Sequence, residues 1–497
     1  MYGLFFTKQD RERLSNFPQD IPQEDVIAHF TLSRKDKRYL RKLRGDHNRL
    51  GFALQLCTLK YMGFCPDDIV SVPLSVAEYL AAQIKIRDFD SHLERYGQRE
   101  QTRTAHLRLA QKRLGYKKPS TKYLEIFAKW LMERALEHDK PTFLFQAACE
   151  KLKSDRIIRP GITMLEHMVM AARQQAHTET HNRLHPLLTA EVKAFLDGLL
   201  VKDKSLNRSP LSWLSLGATA NTSAEILETI EKLSFLRKSG VHLLDLSVLN
   251  PNRKKFLAHI GKRSTSYGLQ QTVPMRRYPI LVCFAHQAWV DVIDELIDLY
   301  DRCLAYSYSH AQHDLKDYQL SIAKASNEKL KLFQMIGQLV LNDEEINDTD
   351  LRPTIYTHIP KDRLKMAVDE CGRIIRPYDD HYDFWSNRYS HLREFAPRFL
   401  ETLQFRSNTE DDPLLDAVEL LKTLNAESKR KIPDGAPLGF VSNAWRPYVI
   451  NKEGQIVRRY YEICVLWELR AALRSGNIWV EDSRRYANPE TYLIPKE

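Results

Sequence analysis

The sequence has little of what would place the protein outside the ordinary globular class. Glycine and proline account for only 18 and 22 of its 497 residues, which argues against collagen-like and low-complexity chains. The seven cysteines lie far apart without a Cys-x-x-Cys pair, so we expect reduced thiols in a cytosolic protein. The start lacks the pattern of a signal peptide, and no apolar run approaches the ~20 residues of a membrane span. We therefore expect no membrane partner.

Motifs of several enzyme classes are also missing. The sequence has no glycine-rich phosphate loop, no dinucleotide-binding fingerprint, no Gly-x-Ser-x-Gly and no kinase motif set. His177, His181 and His185 share one helical face, but successive rungs climb about 6 Å. The glutamate between the first two is misplaced for a zinc protease. We predict no metal ligand, no cofactor and no catalytic residue.

Positive charge, in contrast, is abundant and unevenly distributed. The net charge is +10, and residues 1–150 contain 26 Lys and Arg against 19 Asp and Glu. Residues 34–49 contain eight of these cations and residues 99–122 another eight. A local basic excess indicates a polyanionic partner, usually nucleic acid. The alternative is a solvated helix face.

Hydrophobic periodicity predicts a mainly α protein with several helical domains, because few segments alternate with period two. Ser33 can cap a short basic helix, Gly45 ends it, and a second helix follows from His47 to about Met62. This spacing is typical of a helix-turn-helix-like N-terminal DNA-binding module. The second helix is apolar nearly all round, so only its first turn could reach bases.

Three features are expected further along the chain. One helix should cover residues 92–114, and two more should cover residues 280–306 and 325–341. A small β-hairpin is expected near residues 440–458. The acidic side chains of the 280–306 helix are most simply a solvated face; they are Asp291, Asp294, Glu295, Asp298 and Asp301.

Several blocks of the sequence resemble the Tn-3 family of replicative transposases. The strongest are residues 44–56 (RGDHNRLGFALQL) and the closing block of residues 473–480 (LRSGNIWV) with 483–486 (SRRY). The blocks between them follow the order of the family: 99–103 (REQTR), 159–161 (RPG), 209–214 (SPLSWL) and 277–281 (RYPIL). The resemblance runs along the whole chain.

The resemblance implies a bacterial, nucleoid-associated cytoplasmic protein that binds double-stranded DNA at the terminal inverted repeats of a transposon. In the family, a Mg-dependent Asp-Asp-Glu domain of ribonuclease H-like fold would follow the block around Trp479. The chain ends about where that domain would begin. We therefore predict a transposase-derived DNA-binding protein that has no strand-transfer site and is not an enzyme.

The same resemblance suggests four segments. Residues 1–122 would be an N-terminal helical DNA-binding domain, and residues 123–250 a second helical domain that also binds DNA. Residues 251–430 would form a helical scaffold and dimerisation region. Residues 431–497 would begin the scaffold that leads to the catalytic domain. The expected protein partners are a second copy of the chain or a full-length transposase.

The predicted DNA-binding residues form two patches and one helix start. The first patch is Arg34, Lys35, Lys37, Arg38, Arg41, Lys42 and Arg44. The helix start is His47, Asn48 and Arg49. The second patch is Arg103, Arg108, Lys112, Arg113, Lys117 and Lys118.

Three other roles stay open: a subunit of a split transposase completed by a separate catalytic chain, a regulator that occupies the transposon ends, and an inert relic or helical scaffold.

Overall fold

The computed structural model describes residues 5–341, 348–376 and 380–492. It confirms the mainly α prediction, since 71% of it is helical. The chain forms two compact units. The first contains the described residues of Met1–Ser212 with Leu243–Phe284, and the second contains those of Trp213–His242 with Ala285–Glu497. The four-segment division by function stays a prediction.

The helices of the first half of the chain are α1 (Lys8–Ser15), α2 (Gln23–Phe30), α3 (Arg34–Leu40), α4 (Asp46–Met62), α5 (Leu74–Ile84), α6 (Phe89–Gly97), α7 (Glu100–Leu114), α8 (Thr121–Glu137), α9 (Pro141–Ser154), α10 (Ile162–Leu184), α11 (Ala190–Gly198), α12 (Pro210–Ser215) and α13 (Ser223–Ser239). Those that follow are α14 (Pro251–Arg263), α15 (Ser266–Gln270), α16 (Pro274–Val340), α17 (Asp348–His358), α18 (Lys361–Ile374), α19 (Tyr382–Ser386), α20 (Tyr389–Thr402), α21 (Pro413–Ala426), α22 (Arg446–Val449) and α23 (Arg458–Ser475). The described strands are β1 (Phe405–Ser407) and β2 (Ile478–Val480).

Helix α4 is the centre of the first core of unit 1. It packs against α2, α3, α5, α6 and α7, and every residue from Leu50 to Leu59 is buried. Gly45 precedes it with φ +82, and a Cβ at that position would lie 2.7 Å from the His47 ring. The tight turn between α3 and α4 therefore requires glycine. The helix-turn-helix function of this pair stays a prediction.

The helix predicted at residues 92–114 is in fact two helices, α6 and α7, with a break at Gln98 and Arg99. Gly97 ends α6, and a Cβ there would lie 2.8 Å from Val70. The sequence pattern missed this break because helical periodicity resumes immediately after it. The close approach to Val70 is a tertiary contact.

Helix α16 joins two helices that the sequence predicted separately. It extends over 67 residues, which corresponds to about 100 Å. No glycine or proline lies between Pro279 and Gly337, so nothing in the chain ends the helix after Tyr306. No helix within the described ranges is both long and apolar enough to cross a membrane.

Helices α8, α9 and α10 pack together as the second core of unit 1. A buried ion-pair network there joins α8, α10 and α14. The Asp139 carboxylate, just after α8, accepts hydrogen bonds from Arg173 Nε (2.5 Å) and Arg253 Nη1 (2.8 Å). Arg253 is only 1% exposed. Its Nε donates to the Thr180 hydroxyl at 3.2 Å, and its Nη2 lies 2.8 Å from His177 Nδ1. Since guanidinium only donates, His177 Nδ1 is the acceptor.

The position of His177 predicts a loss of stability in acid. Burial lowers the pKa of His177 to about 4, opposed by Asp139 and assisted by Arg253. The unfolded chain, with the ordinary histidine pKa near 6.5, therefore binds the proton more readily. We expect the free energy of unfolding of unit 1 to fall as the pH drops from about 6.5 to 4, by on the order of 3 kcal/mol.

Urea unfolding at several pH values measures this effect when the wild type is compared with His177→Gln. The glutamine oxygen can still accept from Arg253 but does not titrate. The difference in unfolding free energy between the two proteins should change through this pH window. A constant difference would contradict the prediction.

In unit 2, the interpretation of the α16 carboxylates as a solvated face is wrong. Asp294 is 1% exposed. It accepts hydrogen bonds from the Ser483 hydroxyl (2.7 Å), the Arg484 N–H (3.0 Å) and the Arg485 N–H (3.2 Å). Asp298 accepts from the Tyr486 hydroxyl at 2.8 Å. These carboxylates hold the closing signature block, residues 483–486, against α16.

The sheet of unit 2 lies away from the predicted hairpin. Strands β1 and β2 pair antiparallel with Arg406 opposite Trp479. Near residues 440–458 the structure has one antiparallel bridge, Ile450 to Ile456, because the residues before it form helix α22. The two paired strands are three residues each and about 70 positions apart in the sequence. A local sequence pattern therefore could not predict their pairing.

Candidate nucleic-acid interface

Helix α3 presents most of the first predicted patch to solvent. The Ser33 hydroxyl accepts from the Asp36 N–H at 3.2 Å, and the Asp36 carboxylate accepts from the Ser33 N–H at 3.2 Å. This capping box fixes the start of the helix. Lys37 is half-buried, and the other six members are exposed: Arg34, Lys35, Arg38, Arg41, Lys42 and Arg44.

Asp36 brings the two predicted patches together. Its carboxylate lies 3.4 Å from Lys60 Nζ of α4 and 3.4 Å from an Arg113 guanidinium nitrogen of α7. The Arg113 guanidinium also lies over the Tyr39 ring, 4.4 Å from its centre. The C-terminal half of α7 is therefore next to α3, although the sequence predicted the two patches independently. Arg113 is in contact with the protein's own acidic and aromatic side chains.

The electrostatics of Asp36 agree with this role. Burial raises the pKa of Asp36, but the hydrogen bond from Ser33 and the charge of Lys60 outweigh burial and hold the pKa below its ordinary value. The carboxylate is therefore ionised and turned toward these partners. Since Asp36 is the sole acid between Arg34 and Gly45, the outward face of this segment is uniformly positive.

The second patch continues this surface. Arg108, Lys112, Lys117 and Lys118 are exposed, while Arg103 is half-buried. Lys117 is fixed by backbone hydrogen bonds with the segment after α9: its N–H donates to the Arg156 carbonyl, and its carbonyl accepts from the Ile158 N–H, both at 2.9 Å. We call the exposed cations of both patches, apart from the Asp36-paired Arg113, the basic surface: Arg34, Lys35, Arg38, Arg41, Lys42, Arg44, Arg108, Lys112, Lys117 and Lys118.

The first turn of α4 is occupied by internal contacts. His47 is only 8% exposed. The Asn48 side-chain amide donates to the Arg44 carbonyl at 2.8 Å, and the Arg49 guanidinium pairs with Asp46 at 3.1 Å. In this arrangement the three side chains support the turn between α3 and α4. Contact of His47, Asn48 and Arg49 with DNA stays a prediction.

Two exposed arginines near this turn were not among the predicted residues. Burial lowers the pKa of His47, and the charges of Arg95 and Arg99 lower it further. Both arginines are exposed and belong to the α6–α7 junction. They extend the positive potential beside the first turn of α4, where backbone N–H groups also favour anions. Their place beside His47 was not visible in a one-dimensional charge count.

No cluster of three or more His, Cys, Asp or Glu suited to a metal ion was found among the residues that the structure describes. His177 contributes to the Asp139 network. His181 and His185 have ring centres 5.8 Å apart.

Replacing Asp36 with asparagine should loosen the basic surface. The change keeps the side chain's size but removes the charge that holds Lys60 and Arg113, so we expect a loss of about 1–3 kcal/mol in unfolding free energy. Hydrogen exchange of the α3 and α7 amides would show it. Asp20→Asn, at an exposed position, is the matched control and should leave exchange unchanged. Equal protection in both variants would contradict the prediction.

Comparison with known proteins shows that nearly the whole chain is similar to transposases. Residues 5–172 match a family model described as a domain of unknown function, DUF4158. The chain is 31% identical over 496 residues to the transposase for transposon Tn1546 of Enterococcus faecium. It is 33% identical over 495 residues to the transposase for transposon Tn501 of Pseudomonas aeruginosa. Each match covers 99% of this chain and 50% of the relative.

A more distant relative is the transposase for transposon gamma-delta of Escherichia coli strain K12, 27% identical over 497 residues, or 49% of that protein. The chain thus spans about half the length of the curated relatives it matches. The prediction that this chain is not an enzyme is contradicted by these matches. Their names are those of transposases, which are enzymes, and they run along 99% of the chain.

Proposed function

Because the chain is homologous to Tn-3 family transposases along 99% of its length, we propose that it acts in DNA transposition as a transposase that binds transposon ends. Its contribution to the reaction would be recognition of the double-stranded terminal repeat by unit 1. The observation that carries this proposal is the basic surface. Ten exposed cations are collected there from two segments of the chain.

The geometry favours contact with phosphates. The side chain of Asp36 is turned toward Lys60 and Arg113. It therefore neutralises these two cations and does not pair with the exposed cations of the basic surface. Arginine and lysine at such a surface release condensed counterions when they meet the DNA backbone. These contacts position a protein on the duplex but carry no sequence information themselves.

Sequence recognition would then require groups beside the basic surface. Arg95 and Arg99 are exposed beside the start of α4. Arginine is the side chain that most often makes bidentate contacts with guanine in the major groove. We include these two arginines as candidates for base contact. The internally bonded Asn48 and Arg49 would have to give up their present partners first.

A binding titration tests the proposal. Labelled duplex carrying the element's own terminal inverted repeat is compared with a scrambled duplex at several salt concentrations. With six to ten phosphate contacts, affinity should fall on the order of a thousandfold or more between about 50 and 200 mM salt. Preference for the repeat by about a hundredfold would establish end recognition. Absence of binding to either duplex at low salt would refute the proposal.

Self-association is the second part of the proposal. Leu330 and Val340 are 68% and 47% exposed near the end of α16, and Phe333 lies between them at 37%. Spacings of three and seven residues place these apolar side chains along one stripe, the arrangement by which helices of two copies pair. Sedimentation equilibrium of the wild type should therefore show a dimer. A dimer that persists unchanged in Leu330→Glu would exclude this stripe.

A further inference from the structure

One segment of unit 1 is depleted of acidic residues to an unusual degree. Residues 246–290 contain seven Lys and Arg and no Asp or Glu, although the whole chain has 64 acids among 497 residues. At the average frequency about six acids would be expected there. A solvated helix face normally mixes both signs of charge. The bias therefore needs an explanation beyond solubility.

Helix α14, inside this segment, has two faces of different character. Arg253, Leu257 and Gly261 recur every four residues and are buried. A Cβ on Gly261 would lie 2.6 Å from the Phe284 Cβ, so this face is packed directly against the first part of α16. The helix cannot rotate without breaking the Asp139 network around Arg253.

The opposite face of α14 carries a stripe of two cations and a histidine. Lys255, His259 and Arg263 also recur every four residues, about 200° around the helix from the buried set, and all three are exposed. Successive members rise about 6 Å, so the stripe is about 12 Å long. This length lets the side chains follow a phosphate backbone rather than bind a single phosphate. Tyr267, 72% exposed, lies just beyond the stripe and offers an aromatic ring to the sugar-phosphate edge.

The stripe belongs to a different core from the basic surface. Helix α14 packs on α8, whereas α3 and α7 pack on α4. A single duplex long enough to reach both would contact unit 1 at two places. Affinity would then rise with duplex length, because the second contact becomes intramolecular once the first has formed.

We propose that the exposed face of α14, defined by Lys255, His259 and Arg263, is a second contact surface for the backbone of duplex DNA. The inference rests on the proposed function, since it assigns the same ligand to a second surface. It predicts that the α14 stripe contributes to affinity without contributing to sequence preference.

The test compares Lys255→Gln/Arg263→Gln with the wild type on short and long duplexes that carry the terminal repeat. Removing two phosphate contacts should reduce the slope of log affinity against log salt by about 2, and lower affinity for the long duplex about tenfold at moderate salt. The ratio of the affinities for the repeat duplex and the scrambled duplex should not change. The double variant Arg398→Gln/Lys431→Gln, at exposed positions of unit 2, removes the same charge and should leave the slope unchanged.

The two proposals fail in distinguishable ways. If the wild type binds the repeat and the α14 variant keeps the slope of the control, the second surface is excluded while the proposed function stands. If the wild type binds no duplex, both are excluded. The single variant Arg263→Lys keeps the positive charge and should therefore retain the wild-type slope of log affinity against log salt.

Discussion

Reversing the charge of Arg38, Arg41 and Arg44 to glutamate should lower the affinity for duplex DNA by at least about a thousandfold at about 150 mM salt. All three side chains are exposed on the basic surface. None has an ion-pair partner among the described residues, so their positive charge is available to a ligand. The substitution removes three attractive contacts and adds three repulsive ones.

Two readouts separate this electrostatic effect from misfolding. The far-UV circular dichroism spectrum should stay close to that of the wild type, because all three side chains are exposed and Arg41, the C-cap of α3, caps the helix through its backbone N–H. The salt dependence of the residual binding should lose a slope of about 3. An affinity within a fewfold of the wild type would remove the first patch from the interface.

Arg398→Glu/Lys431→Glu/Lys452→Glu is the matched control. These cations are exposed in unit 2, and the variant has the same net charge as the first. If the long-range field alone governs binding, both variants lose affinity equally. If local contacts govern it, the control retains most of the wild-type affinity, because at about 150 mM salt screening confines charge effects to about 8 Å.

The sequence predicted the local structure correctly where a single residue determines the backbone conformation. Ser33 was predicted to cap α3 and does so. Gly45 was predicted to separate two helices, and its positive φ shows why glycine is needed there. The apolar residues of α4 predicted a core helix, and the helix is buried as expected. Each of these inferences depends on neighbours within one or two helical turns.

Contacts between distant positions were not readable. Asp36 and Arg113 are 77 positions apart, and Asp294 and Ser483 are 189 apart. A carboxylate on an amphipathic helix has the same sequence pattern whether it faces water or a distant arginine. The surface could therefore be predicted as two basic segments, but not as one surface joined through Asp36.

Asp139→Asn should be the most destabilising single substitution considered. The Asp139 side chain is 1% exposed and pairs with both Arg173 and Arg253. The asparagine would leave Arg253, itself 1% exposed, without a negative partner in the interior. Breaking a buried pair in this way costs about 3–5 kcal/mol of unfolding free energy, and the loss should concentrate in the second core of unit 1.

Glu137→Gln, at the last residue of α8 and two positions before Asp139, is the control. Glu137 pairs with Arg134 at 2.9 Å, but both side chains are more than a third exposed, so its loss should cost no more than about 0.5 kcal/mol. Hydrogen exchange of α8, α10 and α14 measures both variants. The Asp139 variant should lose protection in all three helices, since the network touches each of them.

This substitution also tests how unit 1 supports DNA binding. The face of α14 opposite the stripe is fixed by Arg253, whose partner is Asp139. If the network positions the stripe, Asp139→Asn should reduce the salt-dependence slope on long duplexes as the α14 variant does. The basic surface on the α4 core should keep binding short duplexes with wild-type affinity. Equal losses on short and long duplexes would instead mean that the two cores of unit 1 unfold together.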